Sequence, residues 1–241
     1  VSNDLVIGDG TTNIANVVLD HKGYDVFIGG DFTIGTDGAY YYFDDQYSKD
    51  PSADDVPVVW TTPAGYENTT TFNGTNPSTI SLGNLDPDDT DACDQYNRIQ
   101  PFHEIVIDKP SDVTVTLEAP NRFVTKNTIT TSTTGGFRVE SGIFDNGDYS
   151  VFLNGSIVNR GQLGVYIDGT DEIWSLLKFP QSDTEIITKE GATFGNVRLS
   201  NDANILSFTS DVTIQRLLYT HGRIYLGSHQ LTLENLDIQL N

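Results

Sequence analysis

The stretch Val197-Arg-Leu-Ser-Asn-Asp-Ala-Asn-Ile-Leu206-Ser-Phe-Thr-Ser-Asp-Val212-Thr-Ile-Gln-Arg-Leu217-Leu-Tyr-Thr-His-Gly-Arg-Ile224-Tyr-Leu-Gly-Ser-His-Gln-Leu231-Thr-Leu-Glu-Asn-Leu236-Asp-Ile-Gln-Leu240 decides the fold. Val197-Arg-Leu199, Val212-Thr-Ile214, Ile224-Tyr-Leu226 and Leu231-Thr-Leu233 alternate apolar and polar residues. Period two is the pattern of a strand with one buried face. The runs are short and end at Gly, Asn or Asp, which tolerate the positive φ of sharp corners. Apolar pairs begin near positions 197, 206, 212, 217, 224, 231 and 236. Taking every third groups Val197, Leu217 and Leu236, then Leu206 and Ile224, then Val212 and Leu231, at separations of 18 to 20 residues. A sandwich calls for strands of about five to eight residues joined by hairpins. Three short strands repeating every ~20 residues predict instead a coil whose turns stack in parallel: an all-β, right-handed parallel β-helix. One coil cannot bury its apolar side alone. Inward side chains therefore stack on those of the next coil, while backbone hydrogen bonds run along the axis at ~4.8 Å spacing.

Working outward, Val113-Thr-Val-Thr-Leu117 alternates in the same way, and six glycines between Gly142 and Gly169 bracket Ile143-Phe144, Ile157-Val158 and Val165-Tyr-Ile167. Residues 102–241 are read as the main β-helix. Helix signals are nearly lacking; Glu172-Ile-Trp-Ser-Leu-Leu-Lys178 fits a helical turn or a short strand. Leu5-Val-Ile7, Val17-Val-Leu19, Val26-Phe-Ile28 and Phe32-Thr-Ile34 make 1–43 the first coils. Between them lies 44–101, where Asp44 to Gln100 holds five of the nine prolines and few alternating runs, Val56 to Trp60 and Thr79 to Leu82 excepted. It is expected to be a long acidic, aromatic-rich insertion at one corner, since loops of that length are usually functional. The whole reads as one continuous domain of a longer chain.

The composition narrows the function. The 241 residues carry 34 acidic against 13 basic side chains, a net charge of −21, with no Met and a single Cys. That length can bury a core. The charge argues against nucleic-acid partners and anionic membranes, both of which need basic patches. No apolar run approaches the ~20 residues that span a bilayer. Cys93 cannot form an intramolecular disulfide, which excludes a disulfide scaffold. A Met-free chain fits a processed protein or a segment. Residues 1–100 hold 17 acids and 3 bases, so two-thirds of the charge sits in about two-fifths of the chain.

Asp148-Tyr-Ser-Val-Phe-Leu-Asn-Gly155-Ser-Ile-Val-Asn-Arg-Gly161 and His221-Gly-Arg-Ile-Tyr-Leu-Gly227-Ser-His-Gln-Leu-Thr-Leu233 resemble β-helical repeats of very large secreted surface proteins of Bacteroidota. These are the gliding-motility adhesins and other cargo of the type IX secretion pathway. The likeness covers 120–241 well and 1–40 loosely, and it does not extend to the insertion. It implies an extracellular, cell-surface, structural or adhesive protein, and it carries over no catalytic residues.

Two clusters suggest binding chemistry. Asp86, Asp88, Asp89, Asp91 and Asp94 lie at spacings that can converge on Ca²⁺, which takes six to eight oxygen ligands. The spacing is similar to a thrombospondin type 3 calcium repeat but lacks its Gly, and the position of an EF-hand Glu is held by Asn97. The alternative is a solvated acidic loop. The second cluster, Tyr40, Tyr42, Asp44, Asp45, Tyr47 and Trp60, sets aromatic faces beside carboxylates, as glycan sites do. The alternative there is that Tyr40 to Phe43 is simply the next strand of the coil.

Hydrolytic chemistry needs two acids at defined separation across a groove. Asp145, Asp148, Asp168 and Asp171 are candidates, but turn positions beside Gly account for them. His21, His103, His221 and His229 show no metal-binding spacing, and Cys93 has no activating base nearby in sequence. Asn68-Thr-Thr70, Asn73-Gly-Thr75 and Asn154-Gly-Ser156 match the glycosylation acceptor pattern. The primary expectation is a non-enzymatic adhesive rod, with no firm cofactor and calcium as the candidate ion. A carbohydrate-active β-helix enzyme or a calcium-stabilised glycan-binding module are the alternatives. Leu236-Asp-Ile-Gln-Leu240 carries no polar cap, so further chain, domains or subunits are expected to stack on that coil.

Overall fold

The computed structural model describes residues 4–7, 17–20, 22–34, 39–42, 65, 67–81, 100–118, 129–147, 149, 151–166, 176–179 and 183–238. These form β1 (Leu5–Ile7), β2 (Val17–Asp20), β3 (Val26–Ile28), β4 (Phe32–Ile34), β5 (Ala39–Tyr42), β6 (Thr69–Phe72) and β7 (Ser78–Ser81). They continue as β8 (Gln100–Asp108), β9 (Thr114–Glu118), β10 (Ile129–Ser141), β11 (Ile143–Asp145), β12 (Val151–Phe152), β13 (Ser156–Asn159) and β14 (Gln162–Leu163). The last are β15 (Leu177–Lys178), β16 (Asp183–Thr188), β17 (Ala192–Phe208), β18 (Val212–Tyr225) and β19 (Leu231–Ile238). No helix occurs among the described residues, and Leu177-Lys178 takes the strand alternative.

Every strand pairing is parallel, and the pairings fall into three columns that the chain visits in turn. Column A runs β1, β4, β7, β9, β11, β14 and then the starts of β17, β18 and β19. Column B runs β3, β6, the ends of β8 and β10, β13, β16 and the ends of β17 and β18. Column C joins β2 to β5 as a separate pair. It resumes through the starts of β8 and β10, β12, β15, the middles of β17 and β18, and the end of β19. The architecture is therefore all-β, parallel and solenoid-like. The pairs expected from spacing are the observed ones: Val197 with Leu217 and Leu217 with Leu236, Leu206 with Ile224, Val212 with Leu231.

The core is what these registers stack. In column A, Val115, Phe144, Leu163, Phe194 and Ile214 follow one another and are essentially solvent-free. In column B the succession is Ile105, Phe137, Ile157, Ile186 and Phe208. Phe137 meets Phe144 across the interior edge-to-face at 4.8 Å, and Phe194 meets Phe208 at 5.5 Å. Each such side chain contributes roughly 1.5–3 kcal/mol by leaving water.

The coil length differs from the expected value in places. Phe144 to Leu163, Phe194 to Ile214 and Ile214 to Leu233 step 19 or 20 residues, but Phe32 to Ile80 steps 48 and Leu163 to Phe194 steps 31. Extra residues leave at corners, where added length costs little because loop-closure entropy grows only logarithmically.

The stretch 44–101, expected as one insertion, contains β6 and β7. Thr70 lies in column B between Val26 and Ile105, and Ile80 lies in column A between Phe32 and Leu117. Thr69-Thr-Thr-Phe72 does not look apolar, yet Thr70 and Phe72 are fully buried, since a β-branched Thr fills an inward place as Val would. The coil therefore passes through the middle of that stretch; 43–64 and 82–99 lie outside the described residues.

Asn and Gly close the corners. Asn154 donates through Nδ2 to the Thr131 carbonyl at 2.9 Å and through its backbone N–H to Thr131 Oγ1 at 2.7 Å. Gly155 then turns with φ +73°, and a Cβ there would stand 2.2 Å from the Gly135 carbonyl oxygen of the coil below. In Asn159-Arg-Gly161, Asn159 Oδ1 accepts from the Gly161 N–H at 3.2 Å, while its Nδ2 donates to the Thr193 carbonyl at 2.9 Å. Buried corner amides thus hydrogen-bond to the backbone of a neighbouring coil.

Candidate functional site

The residues singled out for binding are distributed as follows. Tyr40 and Tyr42 lie on β5, paired with Val18 and Asp20, which agrees with a strand of the coil; their side-chain environment lies outside the description. Asp44, Asp45, Tyr47 and Trp60, and the acidic set Asp86, Asp88, Asp89, Asp91 and Asp94, lie outside the described residues, as does Cys93. Among the described residues no three His, Cys, Asp or Glu side chains come together closely enough to hold a metal ion. Asp145 Oδ1 accepts from the Gly147 N–H at 2.9 Å, the turn role that its glycine neighbour suggested. Asp148, Asp168 and Asp171 are outside the description. Of the three glycosylation patterns, Asn68 and Asn154 are buried in corners and Asn73 is exposed.

The histidines separate. His103 is nearly covered, and burial holds its pKa below the ordinary imidazole value against the pull of Glu104 and Glu67. His229 Nδ1 stands 3.7 Å from Asp211, and His221 is exposed on β18.

Charged groups that composition alone left unplaced form a ladder on the outside of column B. Arg138 donates from Nε to Glu140 Oε1 at 2.9 Å and lies 3.6 Å from Glu104 through Nη1; Arg160 also engages Glu140. Thr69 Oγ1 donates to the far oxygen of Glu104 at 2.9 Å. The hydrogen bond to Glu140 raises the Arg138 pKa; burial pushes Glu140 up, but Arg138 and Arg160 outweigh it and hold it below the ordinary carboxylate value. Two acids and two bases cancel, so the ladder fastens coils together and offers no net field to a ligand. The coil period brings these residues together: Glu140 and Arg160 stand 20 residues apart.

Two buried cations do related work. Lys109, 1% exposed, donates from Nζ to the Asn76 carbonyl at 2.9 Å and to Ser78 Oγ at 2.6 Å. Burial lowers its pKa, and Asp31 opposes the shift. Arg216 reaches Asp237 at 2.9 Å and Asn196 at 3.4 Å, linking three coils at one corner.

The most exposed apolar strand among the described residues is β19. Among the described residues β19 pairs on one side, with β18. Along column C, Val151, Leu177, Val197 and Leu217 are 0 to 4% exposed, and Leu236 is 53% exposed. Leu233 and Ile238, the next residues above buried Ile214 and part-buried Tyr219, are 36% and 52% exposed. These side chains point inward, and solvent reaches them through the open end of the stack. Tyr225, at the end of β18, adds a ring 66% exposed.

Compared with known proteins, the chain matches no family model, no curated protein and no solved structure. Any functional reading therefore rests on the geometry and chemistry of its own residues.

Proposed function

We propose that this chain is a stiff, right-handed parallel β-helical segment of an extracellular cell-surface protein, structural or adhesive rather than enzymatic. Its resemblance to secreted Bacteroidota surface proteins belongs to the same reading. The observation that carries it is the continuity of the inner columns: nine successive strands of column A, among the described residues, stack in parallel from β1 to β19.

The mechanism is mechanical and interfacial. Hydrogen bonds directed along the axis join neighbouring coils on three sides at once. Bending the rod must lengthen bonds on one side while compressing packed Phe, Ile and Leu on the other. Nine coils at ~4.8 Å span ~40 Å, a rod that holds whatever leaves its corners at fixed separations. In sequence, 43–64 follow Tyr42 of β5 and 82–99 precede Gln100 of β8, both strands of column C. They carry the aromatic–carboxylate and acidic clusters through which glycan, cell-surface or calcium contact is made. Further domains or subunits add by coil-on-coil stacking.

Beads coated with the chain test this reading on glycan-coated and cell surfaces. Adhesion is expected, with loss when 44–60 is replaced by a Gly/Ser linker and with an unchanged β-sheet circular dichroism spectrum. Turnover on a polysaccharide panel, with no retention on any surface, overturns it.

A further inference from the structure

Asn73-Gly74, Asn146-Gly147 and Asn154-Gly155 are three copies of one dipeptide, each at a corner of the coil. Asn-Gly invites a backbone nitrogen to attack the preceding side-chain amide, because glycine has no Cβ to obstruct the approach. The fold treats the three copies differently. Asn146 and Asn154 are solvent-free. Asn146 Nδ2 donates to the Tyr149 carbonyl at 2.8 Å, and the Gly147 N–H, the group that would attack, donates to Asp145 Oδ1 at 2.9 Å. Asn154 Nδ2 is held by the Thr131 carbonyl at 2.9 Å.

Asn73 follows β6 and lies exposed on the corner 73–77. Its backbone N–H is anchored on the Ile28 carbonyl at 3.1 Å. Among the described residues, no hydrogen bond holds its side-chain amide or the Gly74 N–H. Glycine is required at 74, since a Cβ there would stand 1.8 Å from the Gly29 carbonyl oxygen of the adjoining coil. Coil stacking thus imposes the very neighbour that leaves Asn73 labile. Asn76 is exposed on the same corner but precedes Pro77, which has no N–H to attack with.

We propose that Asn73 is a site of spontaneous deamidation, and that folding preserves Asn146 and Asn154 as amides. The Gly74 nitrogen gives its proton to hydroxide and bonds to Asn73 Cγ. The Cγ–Nδ2 bond breaks, and ammonia leaves with a proton taken from water, which restores the hydroxide. Water then opens the resulting succinimide at either carbonyl, giving aspartate or isoaspartate. Both products add a carboxylate to an already acidic chain. The isoaspartyl product also lengthens the backbone by one methylene where Gly74 passes over Gly29. Water is the only co-reactant, so the site acts in any compartment.

The full 241-residue chain, held at mildly alkaline pH and sampled over days, tests the proposal by digestion and tandem mass spectrometry. Conversion at residue 73 to both products is expected in the folded protein. Asn146 and Asn154 are expected to convert at least about tenfold more slowly, because they react only from locally opened states. In guanidinium chloride all three are expected to convert at similar rates. Asn73→Gln should abolish the acidic species that accumulate on isoelectric focusing of the folded protein, with an unchanged circular dichroism spectrum. Folded-state conversion of Asn146 or Asn154 that keeps pace with Asn73 overturns the proposal. So does an Asn73 that stays an amide in the folded chain while the unfolded chain converts.

Discussion

The first and last coils occupy equivalent positions in the stack, yet they meet water differently. Among the described residues, β1 and β3 have strand neighbours on one side, as β19 has. Ile7 and Ile28 are nonetheless covered, whereas Leu233, Leu236 and Ile238 are open. An unpaired edge is thus not the same as an exposed core. Hydrogen-bond pairing is a property of the strand, and coverage of the bore is a property of everything placed over it.

The contrast is broken most directly by deleting inward side chains. Phe144→Ala, in the middle of column A, is expected to cost about 3–5 kcal/mol in urea unfolding, through lost burial and a cavity beside Phe137. Ile28→Ala in the first coil is expected to cost about 2–4 kcal/mol. Leu236→Ala is expected to cost under about 1 kcal/mol, because half of that side chain is already wet. Equal losses at Ile28 and Leu236 would remove the distinction between the ends.

A smaller effect is expected from the ladder that fastens the middle coils. Glu140→Gln leaves Arg138 and Arg160 without their shared carboxylate and is expected to cost about 0.5–1 kcal/mol, as partly exposed pairs do. The pH dependence sharpens the same point. The folded-state pKa of Glu140 is depressed, so its contribution is present above the unfolded value of 4.5 and is lost as pH falls through the folded one. That of His103 is depressed by burial, so below 6.5 the unfolded chain takes up its proton first and stability falls with pH. Unfolding curves from pH 7 to 4 in 0.5 M NaCl, where general repulsion is screened, are expected to decline in two steps. His103→Gln should flatten the upper step and Glu140→Gln the lower.

Legibility from sequence followed the same physical divide. Val197, Leu217 and Leu236 were identifiable as one column because three short strands and two tight corners leave little freedom in the spacing. Thr69-Thr-Thr-Phe72 was not legible as a strand, because an inward Thr is indistinguishable from a loop Thr until Val26 and Ile105 bracket it. The ladder of Glu104, Arg138, Glu140 and Arg160 was hidden for a related reason. Arg138 and Glu140 are two residues apart, but Glu104 and Arg160 join them from 20 or more residues away, across corners of unequal length.

Local alternation and corner chemistry in the sequence by themselves determined parallel, coil-like stacking, since period-two runs of three to five residues punctuated by Asn and Gly suit few other arrangements. The tertiary structure alone decided which residues share a column where coils lengthen, where charges cancel, and how far each inward side chain is covered. Those outcomes depend on how many residues each corner releases and on what comes to lie over an end, quantities that no local pattern encodes.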